Sequence, residues 1–322
     1  MGKSQRVSIK PIRILNTWID AGENTIVRIP VGRFPSGTQI VVKAHVFRSR
    51  KPGPCLLALG GVHGDEINGI EIIRRSIEMG FFSKIQSGMV IAISVLNVYG
   101  FITANRDVPD GKDINRSFPG SARGSLAARI ANMLTKEILP HISVGLDFHS
   151  GGRGHYNYPQ IRYTKGHKES FELAKAFAAP LTLAFKPISK SLRKTALDAG
   201  KPILVFEGGE NNRLDGYSIE KGLEGIQRVL ACLNMAPLNA LSPADEGLFF
   251  EKTTRQRAPR AGIFQWTKSG GQRMTKGEPI GMITDPYGLE KVILKASHSG
   301  HIIGHNNNSI VSQGDALFHF AL

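Results

Sequence analysis

Three polar side chains stand where buried strands are expected to end. They are His63 after the apolar run CLLALGGV (55–62), His149 near the end of VGLDFHS (144–150), and Glu207 at the end of PILVFE (202–207). Glu66 follows His63 by three positions, in a glycine-rich turn that leads into a helical pattern. In open α/β sheets, ligands collect in the crevice outside the carboxyl ends of the strands, so residues this far apart in sequence can be neighbours in space. Catalytic zinc commonly takes three ligands drawn from His, Glu and Asp and keeps a position for water. His63, Glu66 and His149 supply two imidazoles and one carboxylate, a set hard enough to keep Zn²⁺ a good Lewis acid, one ion per chain. Taken alone, the H-x-x-E pair also fits a turn histidine followed by a carboxylate that the helix macrodipole favours. Asp147 lies two residues before His149, so in a strand its side chain shares that face and can orient a ligand histidine; a pairing with a nearby Arg or Lys is the alternative. The glycines of HSGGRG (149–154) let the backbone approach a substrate.

These positions need buried strands separated by helices, and the hydrophobic pattern supplies both. Residues 1–50 read mostly as strands, with GTQIVVKAHVFRS (37–49) alternating over part of its length. KPGP at 51–54 punctuates the chain before CLLALGGV, whose unbroken apolar character suits a parallel strand covered on both faces. Ile70, Ile73 and Ile77 recur at helical spacing over 67–79, and MVIAISVLNV (89–98) is a second buried strand. The polar loop 103–124 has no period. Ser125 is the expected N-cap of a helix that carries Leu126, Ile130, Leu134 and Ile138. VGLDFHS and PILVFEGG (202–209) read as strands, KESFELAKAFAA (168–179) and SIEKGLEGIQRVLACL (218–233) as helices. Alternating strands and helices define an α/β fold with a mostly parallel or mixed central sheet flanked by helices. After about residue 240 the texture changes to a linker, LSPADEG, and then to short apolar runs and glycine turns. The expected division is a catalytic domain with N-terminal strands over 1–245 and a small all-β domain over 246–322.

HGDEINGIE (63–71), DINRSFPG (113–120) and DFHSGG (147–152) occur in this order, each beside an expected strand end. In these motifs the chain resembles the succinylglutamate desuccinylase/aspartoacylase family, a branch of the zinc carboxypeptidase-like superfamily. The resemblance covers roughly residues 50–235, with a similar C-terminal β domain behind it. It implies a zinc carboxypeptidase-like fold, with His63, Glu66 and His149 as the zinc ligands. It also implies that Asn115 and Arg116 bind a substrate carboxylate and that Arg106 polarises the scissile carbonyl. Arginine suits both tasks, because its planar, permanently charged fork grips a carboxylate with two hydrogen bonds and stabilises a developing oxyanion. Glu207 is the candidate general base, at the strand end where the family carries a glutamate; it would take a proton from the attacking water and pass it to the leaving amine. FEGGE also offers Glu210, and the letters alone do not separate the two. Glu207 is preferred because it directly ends the apolar run, where an unpaired carboxylate would be costly. The implied reaction removes a succinyl or acetyl group from an N-acylated amino acid: glutamate, aspartate or a diamino acid. The competing readings are a carboxypeptidase-type peptidase and a non-catalytic ligand- or nucleic-acid-binding protein.

HSGHIIGH brings His298, His301 and His305 close in sequence, but without a carboxylate or cysteine partner they read as turn and surface histidines. The stretch 294–320 resembles a biotinyl/lipoyl-type β fold without the modifiable lysine, which implies a structural or substrate-gating domain. The 322 residues carry a formal net charge of +15 and are 41% hydrophobic, an ordinary globular composition. The basic residues are scattered and form no recognition motif, so no nucleic-acid partner is expected; the surplus suits a small anionic substrate. No apolar run reaches the roughly 20 residues of a membrane span, and the first residues lack the pattern of a secretory signal. Cys55 and Cys232, both in apolar surroundings, suggest no disulfide framework. The expectation is a cytoplasmic protein without a membrane partner, for which a homo-oligomer stays open.

Overall fold

The structure, a computed structural model, describes residues 9–238 and 247–322. The expected boundary at 245/246, most of the LSPADEG linker and the first eight residues of the chain lie outside the described residues.

Four strands form the centre, in the spatial order Ile203–Glu210, Val144–Gly151, Cys55–Leu59 and Met89–Ile93, and all are parallel. Cys55–Leu59 and Met89–Ile93 are buried at every position, as unbroken apolar strands require when both faces are covered. From Cys55–Leu59 the chain moves to Met89–Ile93 on one side and then to Val144–Gly151 on the other. The sheet therefore changes its direction of growth at the strand that ends just before His63, which is where a crevice opens in such folds. Gln39–Arg48 and Asn24–Arg33 continue one edge antiparallel. The second buried strand stops at Ile93 and not near residue 98, because Asn97 caps a short helix, Val98–Ile102, by accepting from the Gly100 N–H.

The two faces of the sheet bury separate cores. Leu56, Ala58, Leu146, Phe148 and Phe206 pack under helices Ile67–Glu78, Lys168–Phe177 and Gly216–Cys232. Leu57, Leu59, Ile91 and Ile93 face the layer that holds helices Leu126–Met133 and Leu192–Asp198. Side chains alternate along a strand, so Asp147 and His149 point to this second layer while Leu146 and Phe148 fill the first. Ser125 takes the expected cap position, its Oγ accepting from the Ala128 N–H at 3.3 Å. The regular helix ends at Met133, and one π turn over Leu134–Ile138 keeps both of those residues in the core.

The strand His155–Thr164, which the sequence pattern does not announce, runs antiparallel to Ile203–Glu210. Its outer edge forks. His155–Asn157 pair with strand Gly300–Asn306, whereas Gln160–Thr164 pair in parallel with Leu181–Phe185. Through the first branch, strands Ala316–Ala321 and Thr253–Arg257 extend the main sheet. A separate four-stranded sheet, with Pro279–Thr284 and Gly262–Trp266 at its centre, closes a small core around Phe264, Ile283, Leu294 and Phe318. The mixed sheet flanked by helices, followed by an all-β C-terminal region, agrees with the α/β reading. Both cysteines are unpaired; Cys55 is buried and Cys232 is exposed. No helix among the described residues is long and apolar enough to cross a membrane.

Candidate active site

After Leu59 the chain turns tightly. A Cβ on Gly64 would lie 1.9 Å from the Gly100 carbonyl carbon, so only glycine lets this turn press onto helix Val98–Ile102. Glu66 occupies the N-cap position of helix Ile67–Glu78 but makes no capping bond. Its carboxylate turns instead to the two histidines.

Glu66 Oε1 lies 2.8 Å from His63 Nδ1, and Oε2 lies 2.8 Å from His149 Nδ1. The two Nδ1 atoms are 3.1 Å apart, and the ligand-type atoms of all three residues fall within 4.8 Å of one another. All three residues are buried. Each imidazole turns Nδ1 to this shared centre and Nε2 to an outer carboxylate: His63 to Asp113 Oδ1 at 3.2 Å, His149 to Asp147 Oδ2 at 2.9 Å. Asp147 is 1% exposed and neither of its oxygens has a well-directed hydrogen bond, so the close approach to His149 is the ion pair that offsets its burial. Outer carboxylates of this kind set the orientation of metal-holding imidazoles. Two imidazoles and a carboxylate also form a donor set suited to Zn²⁺. The residues present therefore fit a metal ion.

Charge reinforces the cluster. Burial alone would lower the pKa of His63, but the Glu66 charge and the hydrogen bonds to Asp113 and Glu66 raise it overall. Burial likewise works against His149, and the charges of Asp147 and Glu66 lift it well above the ordinary value. Burial pushes Glu66 up, and the two imidazoles hold it well below the usual carboxylate range. Arg106 faces the same centre, with Nη1 2.9 Å from Glu66 Oε1 and 3.2 Å from His63 Nδ1, and Nη2 2.8 Å from Asp113 Oδ2. Asp113 thus ties His63 to Arg106, and it also accepts from the Asn115 N–H at 2.6 Å. The motif DINRSFPG draws attention to its Asn and Arg; the acid that opens it organises the site as much as they do.

Glu207 is the register partner of His149 on the neighbouring parallel strand. Its Oε1 accepts from Arg162 Nη1 and its Oε2 from Asn157 Nδ2, both at 2.8 Å. Glu210 is placed differently. It accepts from Asn307 Nδ2 at 2.6 Å, meets Arg213 Nε at 3.2 Å, and does not line the cavity around His63.

That cavity, of about 380 Å³, is lined by His63, Glu66, Arg106, His149 and Glu207. Asn115, Arg116 and Arg193 form one wall; Arg255, His305 and His319 come from the C-terminal strands and form another. Asn115 Oδ1 accepts from the Leu192 N–H at 3.0 Å, and Arg116 Nη1 donates to the Asn115 carbonyl at 2.7 Å. Arg193 is 7% exposed, donates from Nη2 to the Lys186 carbonyl at 3.3 Å, and has no hydrogen-bond partner at Nη1. Burial and then the charge of Arg162 lower its pKa to about 10. Arg116, Arg193 and Arg255 have no ion pair among the described residues, so the cavity presents cationic donors to an anionic ligand. Arg162, Asn157 and Arg193 escape sequence reasoning because their elements, His155–Thr164 and Leu192–Asp198, carry no clear period.

The surface reading of the C-terminal histidines holds for the exposed His298 and fails for His305. His305 is 4% exposed, stacks on Tyr156 (5.2 Å between centroids), meets Trp266 in a tilted contact (4.5 Å), and lines the cavity. Its strand, Gly300–Asn306, docks on His155–Asn157 and carries it inward. Burial lowers the pKa of His305 to about 4, and burial with the charges of Arg162 and Arg255 lowers that of His319 to about 3.

Known proteins resemble this chain over most of its length. The N-alpha-acetyl-L-2,4-diaminobutyric acid deacetylase of Halomonas elongata is 26% identical over 314 residues, covering 92% of this chain and 91% of that protein. The product-bound structure of an ectoine utilization protein from Ruegeria pomeroyi superposes with a TM-score of 0.82 at 21% identity over 99% of both chains. A succinylglutamate desuccinylase/aspartoacylase structure from Rhodobacter sphaeroides gives 0.79 at 24% identity, covering 92% of this chain and 94% of that one. At these identities the structures speak for the fold. Residues 52–233, more than half of the chain, match the family model of the succinylglutamate desuccinylase/aspartoacylase catalytic domain, and the chain belongs to that family.

Proposed function

We propose that the protein is a zinc-dependent amide hydrolase that removes a small acyl group, succinyl or acetyl, from an N-acylated amino acid. The observation that carries this reading is the convergence of His63, Glu66 and His149 with Glu207 and unpaired arginines on one cavity. His63, Glu66 and His149 would hold the ion. Zinc there supplies Lewis acidity and brings the pKa of a water towards neutrality.

The chain's own groups do the rest. Glu207 accepts the proton of the attacking water at its carboxylate and returns it to the nitrogen of the leaving amine. Arg106, held by Asp113, faces the place where the carbonyl oxygen becomes negative. Arg116, positioned through Asn115, and the unpartnered Nη1 of Arg193 take the carboxylate of the amino acid. Glu210, committed to Asn307 and Arg213, is not suited to act as the base. The Halomonas relative supports an acetylated amino acid as one substrate to try. The unpaired Cys55 and Cys232 support a reducing, cytoplasmic setting.

The test joins metal content to turnover. Zinc stoichiometry is measured in the wild type and in His63→Ala, beside amine release from a panel of N-acetyl and N-succinyl amino acids. We expect about one zinc per chain, lost in the variant, and turnover of at least one panel member. No zinc bound, with no activity when zinc is added, would sink the proposal.

A further inference from the structure

Strand His155–Thr164 contributes neither a metal-holding side chain nor the candidate base, yet two of its side chains hold Glu207 and a third braces one of them. Asn157 and Arg162 each hold one oxygen of that carboxylate at 2.8 Å. Arg162 is itself gripped from behind, because its Nε and Nη2 both lie 3.2 Å from Gln160 Oε1. Its guanidinium also sits over the Phe185 ring at 5.0 Å. Gln160 is fully buried and does not line the cavity. Its Nε2 donates to the carbonyls of Ile303, at 3.0 Å, and Tyr158, at 3.2 Å. Ile303 belongs to strand Gly300–Asn306, so the chain of contacts starts in the C-terminal region and ends at Glu207.

A guanidinium is a rigid fork, so fixing two of its nitrogens aims the third. A glutamate side chain by contrast has several free torsions, while proton transfer requires its oxygen within hydrogen-bond reach of the water. We infer that Gln160, Arg162 and Asn157 are positioning residues that present Glu207 in one orientation, with the C-terminal strand Gly300–Asn306 as their anchor. The inference rests on the reading of Glu207 as the base. It gives the C-terminal strands a part in catalysis beyond walling the cavity.

The test uses zinc-loaded full-length protein and the best substrate of the panel. The variants are Gln160→Met, Asn157→Ala, Arg162→Lys, Glu207→Gln and the double variant Gln160→Met/Glu207→Gln, each checked for zinc content and unfolding temperature. Gln160→Met touches neither substrate nor base, so a positioning role predicts a kcat about 10- to 100-fold lower with KM nearly unchanged. Asn157→Ala should behave alike, and Arg162→Lys, which keeps the charge but not the fork, should not restore the rate. In the Glu207→Gln background, Gln160→Met should cost nothing more, because both changes act through one carboxylate. A wild-type kcat in Gln160→Met and Asn157→Ala, a raised KM with unchanged kcat, or losses that multiply in the double variant would each overturn the inference. If Gln160→Met does not fold, Asn157→Ala carries the same test from the other oxygen. Full activity in Glu207→Gln would remove the base assignment and the clamp together, whereas an inactive Glu207→Gln beside fully active clamp variants would remove the clamp alone.

Discussion

Asp147→Asn removes one charge and leaves the side-chain volume almost unchanged. In the wild type, Asp147 Oδ2 stands 2.9 Å from His149 Nε2, and the carboxylate is 1% exposed, so solvent screens the contact very little. Removing an outer carboxylate from a metal-holding histidine costs about 10- to 100-fold in metal affinity. At 1.36 kcal/mol per factor of ten, that is about 1.4–2.7 kcal/mol. The lower half of this range is expected, because Asp147 touches a single histidine and lacks a well-directed hydrogen bond. Asp113→Asn should cost more. Asp113 holds His63 Nε2 and Arg106 Nη2 together, and its loss should lower kcat as well as zinc affinity. Without zinc, Asp147→Asn takes away the charge that pairs with the buried His149, so the apoprotein should lose stability as well. The assay is zinc competition against a chromophoric chelator, paired with thermal unfolding with and without zinc. The Asp147→Asn protein should bind zinc more weakly, and its apo form should unfold below the wild-type temperature. An unchanged zinc Kd would refute the argument that Asp147 orients and strengthens His149.

Three further outcomes follow from the geometry. His305 is neutral in both states above pH ~6.5; between there and about pH 4 the unfolded chain binds a proton that the folded chain excludes, so acidification destabilises the fold, by up to about 3 kcal/mol at full effect. In urea unfolding across that window, His305→Gln should show a flatter pH dependence than wild type, and an identical slope would count against the buried, neutral His305. Gly69→Ala would place a Cβ 2.5 Å from the Phe148 carbonyl oxygen, forcing helix Ile67–Glu78 away from strand Val144–Gly151 and Glu66 away from His149. It should cost about 1–3 kcal/mol in denaturant unfolding and weaken zinc binding; a variant as stable as wild type would show that the helix has room to shift. Arg193→Met removes a charge-assisted hydrogen bond worth about 1.5–3 kcal/mol. KM should rise about 10- to 100-fold with a smaller change in kcat, and steady-state kinetics showing the reverse would remove Arg193 from carboxylate binding.

The central elements were legible because burial on both faces leaves little choice of residue. The run at 55–62 is apolar throughout and 144–150 is buried throughout, so the histidine at or near the end of each stands out, as does Glu207 at the end of 202–207. The glycines of the His63 turn and the Ser125 cap are local signals of the same kind, since each is dictated by backbone geometry within a few residues. The family motifs fall in these same stretches.

The other side of the site was not legible, for a physical reason. Strand His155–Thr164 has one branch of its edge on Leu181–Phe185 and the other on Gly300–Asn306, so its side chains meet polar partners from several distant segments and show no apolar alternation. Asn157, Gln160 and Arg162 therefore look like ordinary surface residues until the fold puts Glu207 and Ile303 beside them. His305 misleads for the same reason, reading as a turn residue although the strand that carries it docks on this edge. By itself the sequence determined the parallel α/β centre and the side chains placed at its strand ends, because periodicity and burial act over a few residues. Only the tertiary structure decided which carboxylate stands behind His63, what grips Glu207 and which cations face the cavity. Those contacts join residues tens to more than a hundred positions apart, and no local pattern encodes their pairing.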